Sequence, residues 1–267
     1  MQLHFLATRR WAAAFALLAF FGASACRPGS VENNSSKEDT TDVAEHRDII
    51  STETNVFSQH GEEVLIRDFF QDRKNGFFLD VGCAWPVHYS NTYYLEKELG
   101  WSGIGVDAIA DHARRWRNRR PHSKFFDFIV TDHSGDLESF YRTESGELLG
   151  ISTLTPRAAL GRKHEWEEIH VRTITLTDLL DQNGVSKIDL LSMDIEGAEL
   201  IALAGFDINR FEPELVVVEV HAAARAPVQE YFSAHGYERI ERYDSYDEYN
   251  YYFTPKRRQL PNDLFSR

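Results

Sequence analysis

Residues 188–200 read "IDLLSMDIEGAEL". The apolar run through Leu190, Leu191 and Met193 ends in Asp194, and Glu196 and Glu199 follow on either side of a Gly197-Ala198 pair. The run predicts a buried strand, and "EGAELIALAGF" after it predicts a helix. In an open α/β sheet, ligands bind just beyond the carboxyl ends of the strands. A strand that ends in acid and turns at once into a helix is therefore a candidate site wall. Glu196 and Glu199 also suit the first turn of a helix, where the macrodipole favours negative charge. Asp194 belongs to the strand end itself and calls for a different explanation.

The same alternation extends in both directions. Strands are expected at "GFFLDVG" (76–82), "SGIGVDA" (102–108), "SKFFDFIVTD" (123–132), "KIDLLSMDI" (187–195) and "PELVVVEVH" (213–221). Helices are expected at "NTYYLEKELG" (91–100), "DHARRWRNRR" (111–120), "TLTDLLDQNG" (175–184, capped by Thr175 or Thr177 and stopped at Gly184) and "PVQEYFSAHGY" (227–237). "ERIERY" and "YNYYFTP" predict a terminal hairpin, and 133–168 is a looser stretch in which "GRKHEWEE" suggests a lid. Near-continuous apolar strands alternating with helices imply a mostly parallel sheet covered on both faces. Right-handed crossovers then put every strand-to-helix loop on one edge. Asp80, Asp107, Thr131-Asp132, Asp194 and the Glu219-Val220-His221 segment all fall on that edge.

The chain has 267 residues, of which 42% are hydrophobic and 27% charged, a globular composition. With 42 acidic residues against 29 basic, the net charge of -13 argues against sequence-independent binding to nucleic acid, which needs clustered Lys and Arg. The basic cluster "RRWRNRRPHSK" (114–124) is expected to be a solvated helix face. Cys83 and Cys26 are the two cysteines, so no internal disulfide framework is expected, and Cys83 is expected to be a small buried residue.

The first 26 residues differ in kind. "MQLHFLATRR" is followed by the apolar "WAAAFALLAFFG" and then "ASAC", the n-region, h-region and small-residue pattern of a secretory signal. Ala23-Ser24-Ala25-Cys26 resembles a bacterial lipobox in which Cys26 is lipidated. Export, or anchoring to a membrane through this segment alone, is the expectation; an uncleaved anchor with the domain facing the cytoplasm is the alternative. Residues 27–55 are polar and nearly free of aromatics, which predicts a disordered tether. A single α/β domain is expected over 56–256, with a short tail at 257–267.

At the first strand end, Asp80 is followed by Gly82, the residue that lets a backbone approach a nucleotide closely. The glycines needed to cradle a pyrophosphate are missing, since Cys83, Ala84, Trp85 and Pro86 come next. A nicotinamide enzyme is disfavoured on that ground. S-adenosylmethionine, an adenosine without phosphates, fits better, and Asp107 stands where an acid would hold the ribose.

These residues also carry a family resemblance. "SQHGEE" (58–63), "GFFLDVGCAWPVHYSNTYYLEKELGWSGIGVDA" (76–108), "IDLLSMDIEGAEL" and "VVVEVH" (216–221), in this order, resemble the FkbM family of S-adenosylmethionine-dependent methyltransferases. The resemblance implies a Rossmann-like fold with a final antiparallel hairpin and methyl transfer to a hydroxyl, often on sugars or other small molecules or glycans. It further implies that Asp80 and Gly82 line the methionine end of the cofactor and that Asn91 and Thr92 bond its carboxylate at a helix start. Asp107 would hold the ribose, Asp132 would lie near the adenine, and Asp194 would face the sulfonium and the acceptor. The departure is Cys83-Ala84-Trp85-Pro86, where relatives have smaller residues; a Trp there is bulky enough to crowd the pocket.

A sulfonium needs alignment more than covalent help, but an alcohol acceptor is neutral at pH 7 and must lose a proton. His221, near Glu219, is the candidate base, and Asp194 and Glu196 are candidates to orient the acceptor or to bind a divalent cation. Carboxylates alone do not specify a metal, so no metal site is predicted. The competing expectation is a tethered binding module that keeps the fold without the reaction, since S-adenosylmethionine is an intracellular metabolite.

Overall fold

In a computed structural model, the structure describes residues 57–143, 152–153 and 166–256. The expected signal (1–26), tether (27–55), tail (257–267) and most of the "GRKHEWEE" lid lie outside the described residues. Among the described residues, no helix is long and apolar enough to cross a membrane.

The strand at the opening motif, β8 (Leu190–Met193), pairs in parallel with β1 (Phe77–Val81) on one side and β9 (Leu215–Glu219) on the other. β2 (Ser102–Asp107) and β3 (Ser123–Asp127) extend the sheet in parallel beyond β1. On the other flank, β11 (Asn250–Pro255) runs antiparallel to β9 and to β10 (Tyr237–Arg239). The order is β10-β11-β9-β8-β1-β2-β3. This is a doubly wound sheet whose order reverses at β1/β8, closed by the expected hairpin.

Alternate residues of each central strand enter different cores, as a two-residue period requires. Leu79, Val81, Leu191, Met193, Val216 and Val218 face one cluster. There they meet Leu176, Leu179 and Leu180 of α4 (Leu176–Gln182), Ala202 and Leu203 of α5 (Glu199–Ala204) and Val228 and Phe232 of α7 (Arg225–Ala234). Phe78, Leu190, Leu215 and Val217 face the other. That cluster holds Leu65, Ile66 and Phe70 of α1 (Glu62–Phe70), together with Leu95 and Leu99 of α2 (Tyr93–Leu99). Each fully buried Leu, Val or Phe of this kind contributes about 1.5–3 kcal/mol.

Helix ends follow their local chemistry. Gly100, in the left-handed conformation, closes α2. Thr175 rather than Thr177 caps α4, its Oγ1 accepting from the Asp178 amide at 3.0 Å. Thr177 instead donates to the Gly205 carbonyl.

Two expectations fail in instructive ways. "SKFFDFIVTD" is not one strand: the Phe128 amide donates to the Asp107 carbonyl, and Ile129–Val130 (β4) leaves the main sheet. The looser stretch holds a second sheet. β5 (Leu137–Thr143) pairs antiparallel with β7 (Trp166–Ile174) and with the short β6 (Ser152–Thr153), and β4 joins β7 in parallel. Among the described residues α1 and α6 (Ile208–Phe211) complete the α-helices, with α3 (His112–Arg119) following β2, and Glu241–Tyr243 of "ERIERY" forms a 3-10 turn rather than strand.

Candidate active site

The carboxyl ends of β1, β2 and β8 and the start of β4 enclose a cleft of about 590 Å³, part of it open solvent at the mouth. Its size and apolar lining match a small-molecule site. Ile109, Phe128, Val130 and Phe140 form an apolar wall, Asp107 stands near it, and Gly82, Asp194 and Glu196 complete the lining.

Asp107 is held by two backbone amides. Oδ2 accepts from Ala84 at 3.1 Å and Oδ1 from Ile109 at 2.8 Å, so one carboxylate ties together the turns after β1 and β2. A carboxylate has about four lone-pair sites, and Asp107, half-buried in the cleft wall, keeps acceptor capacity for a ligand's hydroxyls. Burial raises its carboxyl above the usual range, opposed by the charge of His112 and by the two amides. Burial likewise lowers the fully buried His112.

Gly82 has a second reason to be glycine. Its φ is +81°, and a Cβ would lie 1.8 Å from the Asp194 carbonyl oxygen. The close approach is to the turn after β8, which also donates the Asp194 amide to the Val81 carbonyl. Gly82 therefore locks two strand ends together as well as lining the cleft.

Asp80, Asn91 and Thr92 do not line it. Thr92 is fully buried and donates to Asp80 Oδ2 at 2.6 Å. It also accepts from Arg120 Nη2 at 2.9 Å, and Arg120 in turn bonds Glu96 Oε2 at 2.6 Å. Burial pushes the Asp80 carboxyl up to about 6, against the Thr92 hydrogen bond and the Arg120 charge. Asn91 donates to Ser192 Oγ at 3.1 Å, bracing α2 against β8. Asp80 and Thr92 are taken up by the interior beneath the cleft, and the half-buried Asn91 is engaged by Ser192. Asp132 also departs from expectation: it is exposed, pairs with His133 Nδ1 at 2.7 Å and lies outside the lining. Phe128, Val130 and Phe140 line the cleft instead.

Trp85 does not crowd the cleft. Its ring meets His112 edge-on at 5.8 Å and lies under the Arg115 guanidinium at 4.9 Å, away from the lining residues. Cys83 is buried, as expected, and burial holds its thiol well above the usual range.

At the β8/β9 side the structure brings the four expected catalytic residues together. Glu196 adopts φ +56°, a left-handed conformation that costs about 1–2 kcal/mol for a residue with a Cβ. Glu199 sustains the turn, its Oε1 accepting from the Ile195 and Gly197 amides at 3.2 and 3.1 Å. Glu199 is thus a structural residue of the helix start, and the turn it holds aims Glu196 into the cleft. His221 Nε2 stands 3.6 Å from Glu219 Oε2 and 4.0 Å from Glu196 Oε2. Asp194 reaches solvent at the mouth but is packed closely enough by protein that desolvation, and then Glu219 beside it, hold its carboxyl well above the usual range. Desolvation and the Asp194 charge push Glu196 to about 7, with His221 opposing. Burial also raises Glu219. Asp194 and Glu196 line the cleft, while Glu219 and His221 stand at the rim behind them.

"SQHGEE" has a bracing role. Glu62 accepts from the His60 amide and from Asn250 Nδ2, and Glu63 from the Phe57 amide, fastening the start of α1 to β11. The apolar wall was the part of the site that sequence reasoning missed. Phe128 and Val130 carried a signal, lying directly after the β3 segment, whereas Phe140 sits on an unexpected strand.

A seven-stranded sheet of this order, with a ligand-sized cleft at the strand ends and an acid at the end of β2, defines the Rossmann-like methyltransferase class. Residues 74–243 match the family model described as "Methyltransferase FkbM domain". The chain belongs to the FkbM methyltransferases, and S-adenosylmethionine is its cofactor. Among solved structures it is similar to a TehB-like SAM-dependent methyltransferase from Corynebacterium glutamicum, at 16% identity over 74% of this chain and 88% of that one, with a TM-score of 0.42. A precorrin-6y C5,15-methyltransferase from Geobacter metallireducens matches at 10% identity over 78% and 94%, with a TM-score of 0.42. A SAM-dependent methyltransferase from Thiobacillus denitrificans, in complex with S-adenosyl-L-homocysteine, matches at 9% over 73% of each chain, with a TM-score of 0.35. No curated protein matches the chain.

Proposed function

We propose that the protein transfers the methyl group of S-adenosylmethionine to a hydroxyl of a small-molecule or glycan acceptor. One observation carries this reading: a single cleft has an apolar wall and Asp107 at one end, and Asp194 with Glu196 at the other. Adenine suits the Ile109, Phe128, Val130 and Phe140 wall, the ribose hydroxyls suit Asp107, and the sulfonium then points toward Asp194. The acceptor oxygen attacks the methyl carbon in line, the C–S electron pair returns to sulfur, and the hydroxyl proton passes to Asp194. Asp194 replaces His221 as the base in this proposal, because it lines the cleft and His221 does not. Trp85, turned aside, leaves the cleft open, which favours an enzyme over a binding module.

The test is incubation of the full chain with methyl-labelled S-adenosylmethionine and a panel of alcohol, sugar, amine and thiol acceptors. Label in an alkali-stable methyl ether is expected. Asp194→Asn is expected to slow turnover by about 10²–10⁴-fold, the usual contribution of general base catalysis, while cofactor affinity stays within a few fold. Label found only on nitrogen or sulfur, or an Asp194→Asn enzyme at full rate, would refute the assignment. We further propose that residues 1–26 direct export with lipidation at Cys26. Mass spectrometry of the membrane fraction should find a lipidated Cys26 N-terminus, and an intact Met1 would overturn this.

A further inference from the structure

We propose that Glu196, Glu219 and His221 form a divalent-cation site on the acceptor side of the cleft, with two carboxylate oxygens and one imidazole nitrogen suited to Mn²⁺ or Mg²⁺. The proposal deepens the methyl-transfer reading and rests on it for the cation's use, though not for its binding. One ligand atom from each residue lies within 4.8 Å of the other two. His221 Nε2 is 3.6 Å from Glu219 Oε2 and 4.0 Å from Glu196 Oε2. A cation about 2.1 Å from two neighbouring ligands sets them about 3 Å apart. The atoms need to draw in by less than about 2 Å, within reach of rotamer changes in side chains that are only partly buried.

A second observation is independent of that clustering. The Oε2 atom of Glu219 is buried, and apart from the neighbouring Asp194 carboxyl no hydrogen-bond donor reaches it among the described residues. A buried carboxylate oxygen without a donor is costly, and native structures supply it with a donor or a cation. No Lys or Arg meets the need: among the described residues, the ion pairs of Glu196 and Glu219 are with His221. The substrate's sulfonium is a positive charge for only half of each cycle, since transfer leaves a neutral thioether. A resident cation would offset these carboxylates throughout.

Its chemical role follows from its place. Three protein ligands leave coordination positions open, and an acceptor hydroxyl in one of them is oriented and becomes more acidic, as metal-bound water does. The O–H proton passes to Asp194, the oxygen forms its bond to the methyl carbon, and the C–S pair returns to sulfur. His221 is then a ligand and Asp194 the base.

The test titrates the full chain with Mn²⁺ and follows loss of the free-ion electron paramagnetic resonance signal, with S-adenosylmethionine binding measured on the same samples by calorimetry. One site per chain is expected, with competition by Mg²⁺. Glu219→Gln and His221→Ala should each weaken Mn²⁺ by tenfold or more and leave cofactor affinity within a few fold. Glu196→Gln serves as the second carboxylate variant if either fails the circular dichroism check for folding. His133→Ala is the control, because His133 lies in a separate exposed acidic group with Asp132, Asp136 and Glu138. No Mn²⁺ binding at millimolar concentration, binding indifferent to Glu219→Gln and His221→Ala, or binding lost in His133→Ala would overturn the site. Mn²⁺ binding as expected without any cofactor binding would uphold the site while removing the methyl-transfer reading.

Discussion

Replacing Arg120 by Met is the severest test of how the fold carries the site. Arg120 is 0% exposed at its side chain and sits at the centre of a polar network under the β1 turn. Nε bonds Glu96 at 2.6 Å, Nη1 bonds the Pro86 carbonyl and Ser90 Oγ at 3.2 Å each, and Nη2 bonds Thr92 at 2.9 Å. Glu96 is 4% exposed and Asp80 is 5% exposed. Removing the guanidinium leaves two buried carboxyl groups without their cation. Breaking a buried pair in this way costs about 3–5 kcal/mol, a large part of the 5–15 kcal/mol of a typical domain. With a urea m-value of about 2 kcal/mol/M, the midpoint should fall by about 2 M. Adding Glu96→Gln to Arg120→Met should cost less than the sum of the two single changes, by about 0.5–3 kcal/mol, because the stranded charge goes too. A loss below about 1 kcal/mol for Arg120→Met, or strict additivity of the pair, would refute the claim that this network is a coupled, charge-balanced unit.

Gly82→Ala should destabilise the protein by about 2–4 kcal/mol in thermal or urea unfolding, through left-handed strain and a clash with the Asp194 carbonyl; an unchanged midpoint would mean the two turns are free to part. Asp80→Asn tests linkage. The native carboxyl titrates near 6 against a usual 3.8, so its contribution is fully present below about pH 4 and is lost as pH rises through 6. That difference of roughly two units corresponds to about 3 kcal/mol. Asn keeps an acceptor for Thr92, so the variant should gain on the wild type by up to that amount between pH 4 and 7, and parallel pH curves would contradict the assignment.

The main sheet was legible because its strands are buried on both faces and therefore read as apolar runs; β8 and β9 are near-continuous in burial. The second sheet was not, because β7 exposes much of its length and its "WEEIHVRTI" mixes charged and apolar residues without a clean alternation. Strand-end acids were found, but their division of labour was not. Asp80 and Asp107 both read as strand-end acids, yet Asp80 lies in register with Gly105, two residues short of Asp107, and Thr92 and Arg120, more than ten residues away from it in the chain, engage it from the interior. Arg120 lay hidden in a basic run whose Arg114, Arg115, Arg117 and Arg119 are exposed, as expected of that helix. Only the three-dimensional crossing of α3 with the β1 turn singles it out. Asp132 failed for a related reason: the chain leaves the main sheet at Phe128, which carries the apolar side chains to the cleft and the acid away from it.

Calorimetric titration of the full chain with S-adenosylmethionine tests the central claim most directly. One cofactor should bind per chain, and Asp107→Ala should weaken it by at least tenfold while Asp132→Ala changes nothing. A folded wild-type chain that takes up no S-adenosylmethionine, or one whose affinity ignores Asp107, would contradict the account.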